Sequence, residues 1–223
     1  MSELLPIFLN LAGRDVLLVG GGRVAEAKLR QLLAAGARVR VVAPAISSTI
    51  RGAGVDTRER GFDPVDLDGA WLVVAAATPE VNRLVADAAE SRRVFVSAVD
   101  DPVNATAFLS GVVRREGVTL AISTSGDAPA LTALLRESLD AVLPSDLAAW
   151  VSTAREQRID WRRDGVPMDE RKPLLLRALN AIYDGSPSVE RAASADGASA
   201  SPPKLDGSAE RVPWLCGPED SWL

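Results

Sequence analysis

A glycine-rich turn near the amino terminus is the strongest chemical signal in the sequence. Gly20, Gly22 and Ala25 have the G-x-G-x-x-A spacing of a dinucleotide-binding turn, between a strand-like run at residues 15–19 and a helical pattern at residues 24–35. The first glycine permits the tight bend, the second lets the backbone approach a pyrophosphate, and the alanine lets helix and strand pack closely. A helix amino terminus also favours negative charge. The pattern predicts a dinucleotide site; a glycine turn without a ligand is the alternative.

Polar residues follow two further apolar runs and are candidates for the other end of the same site. Thr78 comes after residues 71–76, where it could cap a helix or contact a cofactor. Asp100 comes after residues 94–99. Ligands of open α/β sheets bind beyond the carboxyl ends of the strands. We therefore expect Asp100 to face the nicotinamide end of a bound cofactor, with a simple strand-ending turn as the alternative.

A loop rich in hydroxyl groups precedes another helical pattern, which begins near Pro129. Its members are Ser123, Thr124, Ser125 and Gly126. Hydroxyl groups and backbone amides at a helix amino terminus form a nest suited to carboxylates or phosphates. The loop therefore predicts an anion site, and a plain helix-capping loop is the alternative.

The position that normally recognises the adenine ribose is unusual. An acidic residue is expected about 20 residues after the glycine turn, but residues 42–45 read Val-Ala-Pro-Ala, and the next acid is Asp56. Ribose recognition must then come from backbone groups. Arg38 and Arg40 lie nearby, but alternating arginines on a strand favour a solvated face over a 2′-phosphate site. These residues do not decide between NAD and NADP as the cofactor.

Composition excludes several classes of chemistry. The chain has 223 residues, no histidine and one cysteine, Cys216. Serine–histidine and cysteine–histidine catalysis, imidazole metal sites and disulfides within one chain are therefore excluded, and we expect no metal site. The net charge of −5 argues against nucleic acid as a partner. Without a long apolar span or an export signal, we expect a cytoplasmic protein that does not enter a membrane.

The order of elements predicts an α/β fold, with a Rossmann-like, doubly wound parallel sheet followed by a small α+β domain and a helical region. Apolar runs alternate with amphipathic stretches over the first hundred residues. Two strand patterns and a helix come next, then two more helices. A segment of mostly small and polar residues predicts disorder. The expected domains are residues 1–106 for the dinucleotide, 107–145 for dimerisation and substrate, 146–184 as the helical region, and 185–223 as a disordered tail.

Several of these segments together resemble a known family. They occur in order at family spacing, at residues 5–11, 19–25 with Lys28 following, 42–44, 99–102, and 121–126 with 129–131. The chain from about residue 4 to residue 143 is similar to precorrin-2 dehydrogenase, the dehydrogenase and ferrochelatase module of siroheme synthase. The rest of the chain matches loosely or not at all.

The resemblance implies NAD-dependent oxidation of precorrin-2 to sirohydrochlorin by a homodimer, and it leaves insertion of Fe²⁺ or Co²⁺ open. Its cofactor contacts fall on the glycine turn with Arg23 and Val24, and on Pro44 and Ala45 after the second strand. Its essential aspartate corresponds to Asp100. The alternative is an NAD-sensing regulatory module without catalysis, but such modules usually keep the acid that is missing here.

The substrate implied by the resemblance is a polycarboxylate, so its site needs amide nests and cations. Residues 123–126 would supply the nest. Arg114, Arg115 and Arg136 are the candidate cations in the sequence. Because the chain has no histidine, a carboxylate at the sheet edge is the natural proton acceptor.

Overall fold

The computed structural model describes residues 4–109 and 111–184. The chain divides into two compact units between Pro144 and Ser145. The predicted disordered tail and Cys216 lie outside the described residues. No helix of the described part is long and apolar enough to cross a membrane.

The first unit is built on a five-stranded parallel sheet. Its strands are β1 (Asp15–Val19), β2 (Arg38–Ala43), β3 (Asp56–Glu59), β4 (Leu72–Ala75) and β5 (Phe95–Ala98). They lie side by side in the order β3-β2-β1-β4-β5. The chain order reverses between β1 and β4, so a ligand crevice is expected beyond the carboxyl ends of these two strands. The predicted Rossmann-like sheet is confirmed.

Helices cover both faces of this sheet. On one face lies α1 (Arg23–Ala34) with the four-residue α2 (Ser48–Arg51), and on the other lies α3 (Pro79–Arg92). Because β1 and β4 are covered on both sides, they read as continuous apolar runs rather than as alternating patterns. The side chains of α1 and α3 that form the two cores are Ala25, Leu29 and Leu32 for α1, and Val85 and Ala89 for α3.

The two edges of the sheet differ. Strand β3 is solvent-exposed, and its Asp56 pairs with Arg40 of β2 at 3.0 Å. At the other edge, the Val96 N–H of β5 donates to the Thr106 hydroxyl at 2.9 Å. The Val96 carbonyl accepts the N–H groups of Thr106 and Ala107 at 2.9 and 2.8 Å.

An antiparallel hairpin and a helix complete the first unit. The hairpin consists of β6 (Gly111–Arg115) and β7 (Val118–Ile122), and the helix is α4 (Pro129–Val142). Glu116 and Gly117 both have positive φ, as a tight two-residue hairpin turn requires. The Arg115 guanidinium donates to the carbonyls of Asp140, Leu143 and Pro144, which fixes the hairpin to the carboxyl end of α4.

The described part of the second unit consists of two helices, as the sequence predicted. They are α5 (Leu147–Arg163) and α6 (Met168–Asp184). Trp161 of α5 and Leu179 of α6 are buried, and the Trp150 indole N–H donates to the Tyr183 hydroxyl at 2.6 Å.

Candidate functional site

The glycine turn between β1 and α1 contains two glycines with different physical roles. Gly20 has a φ of +133°, and a Cβ there would overlap the Ala76 carbonyl oxygen. Close packing of the loops after β1 and β4 therefore requires glycine at this position. At Gly22 a Cβ would meet no protein atom within 4 Å. Packing does not explain this second glycine, which leaves an open cradle at the amino terminus of α1.

The cradle is formed by backbone groups. Helix α1 begins at Arg23, and the Glu26 N–H donates to the Gly22 carbonyl at 3.0 Å. Gly22 occupies the N-cap position and has no side chain to bind the amides of Arg23 and Val24. These amides and the helix dipole suit a phosphate group. The cradle therefore fits the pyrophosphate of a dinucleotide.

The other predicted cofactor residues lie at the same sheet edge. Pro44 and Ala45 are exposed after β2, and the Ala45 carbonyl packs directly against Gly21. Thr78 is exposed after β4, at the N-cap position of α3, but its side chain does not cap the helix. The Glu80 carboxylate accepts hydrogen bonds from its own backbone N–H and from the Thr78 hydroxyl. These bonds lower the pKa of Glu80, the backbone bond more than the hydroxyl bond.

A residue that the sequence analysis missed holds the loop after β4. Asn82 of α3 is only 2% exposed, and its side-chain oxygen accepts the Ala77 N–H at 3.2 Å. A buried amide at this position thus fixes the backbone next to Thr78. An asparagine among the apolar residues of α3 was the available signal.

Asp100 lies in a turn beyond β5 rather than on the strand itself. The strand ends at Ala98, and Asp100 has a φ of +55°, a left-handed conformation that aspartate tolerates better than most residues. Asp101 begins a short 3-10 turn, Pro102–Asn104, and its carboxylate accepts the Asn104 side-chain N–H at 2.8 Å. The Asp101 carboxylate therefore stabilises the loop.

Asp100 and the hydroxyl-rich loop border one cleft. The cleft has a volume of about 200 Å³ and lies between the turn after β5 and the loop before α4. The charged residues that line it are Lys28, Asp100 and Asp101. Three of the four predicted loop residues also line it, namely Ser123, Thr124 and Gly126. The fourth, Ser125, is not among the lining residues, and its N–H donates to the Ser123 hydroxyl at 3.1 Å.

Internal hydrogen bonds hold the loop before α4, although no side chain caps the helix. The Thr124 hydroxyl accepts the Ala128 N–H at 3.2 Å and lies 2.9 Å from the Thr132 hydroxyl. A Cβ at Gly126 would come within 3.3 Å of Pro102. These contacts hold the wall of the cleft in place, so a loop with internal hydrogen bonds also borders the cleft.

The arginines suggested by the sequence do not line this cleft. Arg115 is committed to the end of α4, Arg136 pairs with its neighbour Glu137 at 3.2 Å, and Arg114 is exposed on the hairpin. Arg38 pairs with Asp15 at 2.8 Å. Its position at the start of β2 places it away from the carboxyl edge of the sheet.

Lys28 of α1 is the cation that the cleft contains, and the sequence analysis assigned it no function. Burial lowers the pKa of its ammonium group, and the charge of Asp100 opposes that shift. The signal was available, because Lys28 follows Ala25 by three residues and precedes Leu32 by four, on the face that α1 buries. Within the described residues, no group of three His, Cys, Asp or Glu side chains could hold a metal ion.

The strand order, the glycine turn and the open cradle define a dinucleotide-binding α/β protein. Consistent with this, residues 7–111 match a family described as "Putative NAD(P)-binding". The chain is 41% identical over 184 residues to siroheme synthase 1 of Aeromonas salmonicida and 38% identical over 186 residues to the siroheme synthase of Photorhabdus laumondii. These matches cover 80% and 81% of this chain, and 39% and 40% of the relatives. The chain thus spans about two fifths of the length of the curated relatives it matches.

A solved structure gives a match over most of both chains. The precorrin-2 dehydrogenase SirC superposes with a TM-score of 0.64 at 25% identity, covering 85% of this chain and 96% of that one. The chain is thus similar to siroheme synthases over about four fifths of its own length and to a precorrin-2 dehydrogenase in fold, which confirms the resemblance found in the sequence.

Proposed function

We propose that this chain catalyses the NAD-dependent oxidation of precorrin-2 to sirohydrochlorin. One observation carries the proposal: Asp100 and the loop before α4 border a common cleft at the carboxyl edge of a dinucleotide-binding sheet. The relationship to siroheme synthases and to precorrin-2 dehydrogenase supports the same reaction. An NAD-sensing module would need only the cofactor cradle and not this additional cleft, so sensing is the less favoured function.

The chain's own residues provide the cofactor site. The amides of Arg23 and Val24 bind the pyrophosphate at the cradle that Gly22 leaves open. Backbone groups of Pro44 and Ala45, after β2, contact the adenosine half, and Thr78 contributes from the loop after β4. NAD, when bound, accepts a hydride from the tetrapyrrole.

Asp100 takes the proton that balances this hydride. Oxidation of the macrocycle removes one hydride and one proton, so the site needs a base next to the substrate. The whole chain contains no histidine, and Asp100 is a carboxylate at the cleft that is not committed to loop structure as Asp101 is. General-base catalysis of this kind contributes about 10²–10⁴ in rate.

The loop before α4 binds the substrate through its acidic side chains. Precorrin-2 carries many carboxylates, and Ser123, Thr124 and Gly126 offer polar groups at the cleft where a helix begins, while the Ser125 N–H holds the loop together. Thr124 keeps the loop in position through its bonds to Ala128 and Thr132. The loop is therefore a prearranged anion site rather than one that must form on binding.

We also propose that the active form is a homodimer. Helix α4 exposes an apolar face, the α4 leucine face, consisting of Leu131, Leu134, Leu135 and Val142. Exposed apolar faces of this kind mark interaction surfaces. The cleft of about 200 Å³ is also smaller than the roughly 300–1,000 Å³ typical of ligand pockets. A second copy would bury the leucine face and enlarge the walls of the cleft.

Insertion of Fe²⁺ or Co²⁺ into sirohydrochlorin is a second candidate function. It is favoured by the matches to siroheme synthases, since siroheme contains iron. The pyrrole nitrogens would bind the metal, and Asp100 would accept the protons they release. An enzyme-dependent spectral change of sirohydrochlorin with either ion supports this step, and a rate equal to that in buffer overturns it.

The dehydrogenase proposal is tested with the purified chain, precorrin-2 and NAD. We expect NADH absorbance to rise together with the spectrum of sirohydrochlorin, in proportion to enzyme concentration. A protein that binds NAD but produces neither signal would instead be a sensing module. Replacing NAD by NADP in the same assay determines the preferred cofactor.

A further inference from the structure

Lys28 is a cation on the buried face of a helix, at the wall of a cleft. Its neighbours on that face of α1, Ala25 and Leu32, pack in the core. Among the described residues that line the cleft, Lys28 is the only one with a cationic side chain. The remaining lining residues are acidic, hydroxyl-bearing, small or apolar.

Within residues 4–109 and 111–184, no hydrogen bond or ion pair holds the ammonium group of Lys28. Asp100 acts on it through space and not through a hydrogen bond, and this attraction is smaller than the effect of burial, which lowers the lysine pKa. A half-buried cation is unfavourable unless something compensates its charge. The position is therefore one that an anionic ligand would stabilise.

We propose that Lys28 binds a carboxylate side chain of the tetrapyrrole and thereby selects a polycarboxylate substrate. This inference rests on the proposed function and deepens it. The cleft that Lys28 lines is bordered by the turn after β5 and the loop before α4, and residues 20–24 of the glycine turn do not line it. The ammonium group thus serves the substrate and not the cofactor pyrophosphate.

A charge-neutral polar variant tests this assignment. Lys28→Gln removes the charge, Lys28→Arg retains it, and Lys172→Gln makes the same change on the exposed surface of α6. The measurements are the KM for precorrin-2, the KM for NAD, and the Kd for sirohydrochlorin titrated without NAD. The last is a binding measurement and needs no turnover.

The expected result is specific to the tetrapyrrole. A charge-assisted hydrogen bond at a partly buried site corresponds to about a tenfold change in affinity. Lys28→Gln should raise the KM for precorrin-2 and the Kd for sirohydrochlorin by about that factor, with the KM for NAD unchanged. Lys28→Arg and Lys172→Gln should stay within about twofold of the wild type.

Two outcomes overturn the inference. A Lys28→Gln protein that binds sirohydrochlorin as tightly as the wild type shows that Lys28 has no role in binding. A Lys28→Arg protein as weak as Lys28→Gln shows that shape, not charge, is what the position requires. A wild type that binds sirohydrochlorin but never oxidises precorrin-2 overturns the dehydrogenase proposal alone, because the titration still tests Lys28.

Discussion

The Asp101 carboxylate accepts a hydrogen bond from the Asn104 side chain at 2.8 Å, within the turn that immediately follows Asp100. Both residues lie beyond the end of β5, so the alternation of side chains along a strand does not separate them. Their difference comes from this hydrogen bond. Both residues line the cleft, but the Asp101 carboxylate is held by the loop, whereas no hydrogen bond to another described residue holds that of Asp100.

Replacement of Asp100 by asparagine should abolish most turnover and leave the fold intact. Asparagine also tolerates the left-handed φ of +55°, so the turn is kept while the base is lost. We expect turnover to fall by about 10²–10⁴ with NAD affinity unchanged. In Asp101→Asn, the matched control, a side-chain oxygen still accepts from Asn104, and turnover should change only slightly. Equal rates for the wild type and Asp100→Asn would contradict the catalytic role.

The two glycines of the turn should respond differently to alanine. Gly22→Ala has room for its Cβ, so thermal stability should be kept while the methyl group obstructs the pyrophosphate and weakens NAD binding. Gly20→Ala has neither room nor an allowed φ and should lower the unfolding temperature markedly. Thermal unfolding and titration with NADH, measured on both variants, separate these effects. Unchanged NADH affinity in Gly22→Ala would argue against the cradle.

Asp66 should make the first unit sensitive to acid. The side chain is 5% exposed and accepts bonds from Arg60 at 2.6 and 2.8 Å and from the Asp63 N–H at 2.9 Å. Burial acts to raise the pKa of Asp66, but the Arg60 guanidinium and the Asp63 amide outweigh it and hold the pKa below its usual value. Because the pKa is lower in the folded state, this stabilisation is present above about pH 4 and is lost as the pH falls further.

Asp66→Asn should therefore lower the free energy of unfolding at neutral pH by about 1–3 kcal/mol. It should also flatten the dependence of that free energy on pH in the acid range. Asp68→Asn is the control, because Asp68 pairs with Arg92 at the surface, where such pairs contribute about 1 kcal/mol or less. Denaturant unfolding at several pH values measures both variants. Equal losses in the two would show that burial of Asp66 is unimportant.

The α4 leucine face should control association. Leu134 is 59% exposed in the single chain, so Leu134→Glu should leave the monomer folded. In a dimer the same carboxylate would be desolvated without a partner, and we expect the variant to sediment as a monomer with reduced turnover. Leu84 is an exposed residue of α3, so Leu84→Glu is the matched control, and this variant should remain dimeric. A wild type that sediments as a monomer at assay concentration would contradict the dimer proposal.

The sequence predicted those elements whose side chains repeat with a clear period. The four apolar strands and the long helices follow directly from such patterns. Strand β3 was missed because Asp-Thr-Arg-Glu contains no apolar residue, and it forms through backbone pairing with β2 and ion pairs such as Arg40–Asp56. Its position as an edge strand removes the need for a buried side chain.

The sequence predicted the separate segments of the candidate site, but it did not predict which of them lie next to one another. The spacing of glycines located the cradle, and chain position located Asp100 and the loop before α4. That these last two share a cleft depends on how residues 101–109 return past β5, which no local pattern encodes. Lys28 was left without a role because a lysine on a helix normally indicates a solvent-exposed face.

Both edges of the five-stranded sheet carry features that limit how copies of the chain can aggregate. Pairing at β3 would bring the exposed charges of Asp56, Arg58 and Glu59 out of water. At the opposite edge, the backbone of Val96 is already bonded by Thr106 and Ala107. Charged side chains therefore protect the β3 edge, and the hydrogen bonds of Val96 to the following segment occupy part of the β5 edge. Open-ended, fibre-like growth by strand pairing at this sheet is therefore disfavoured.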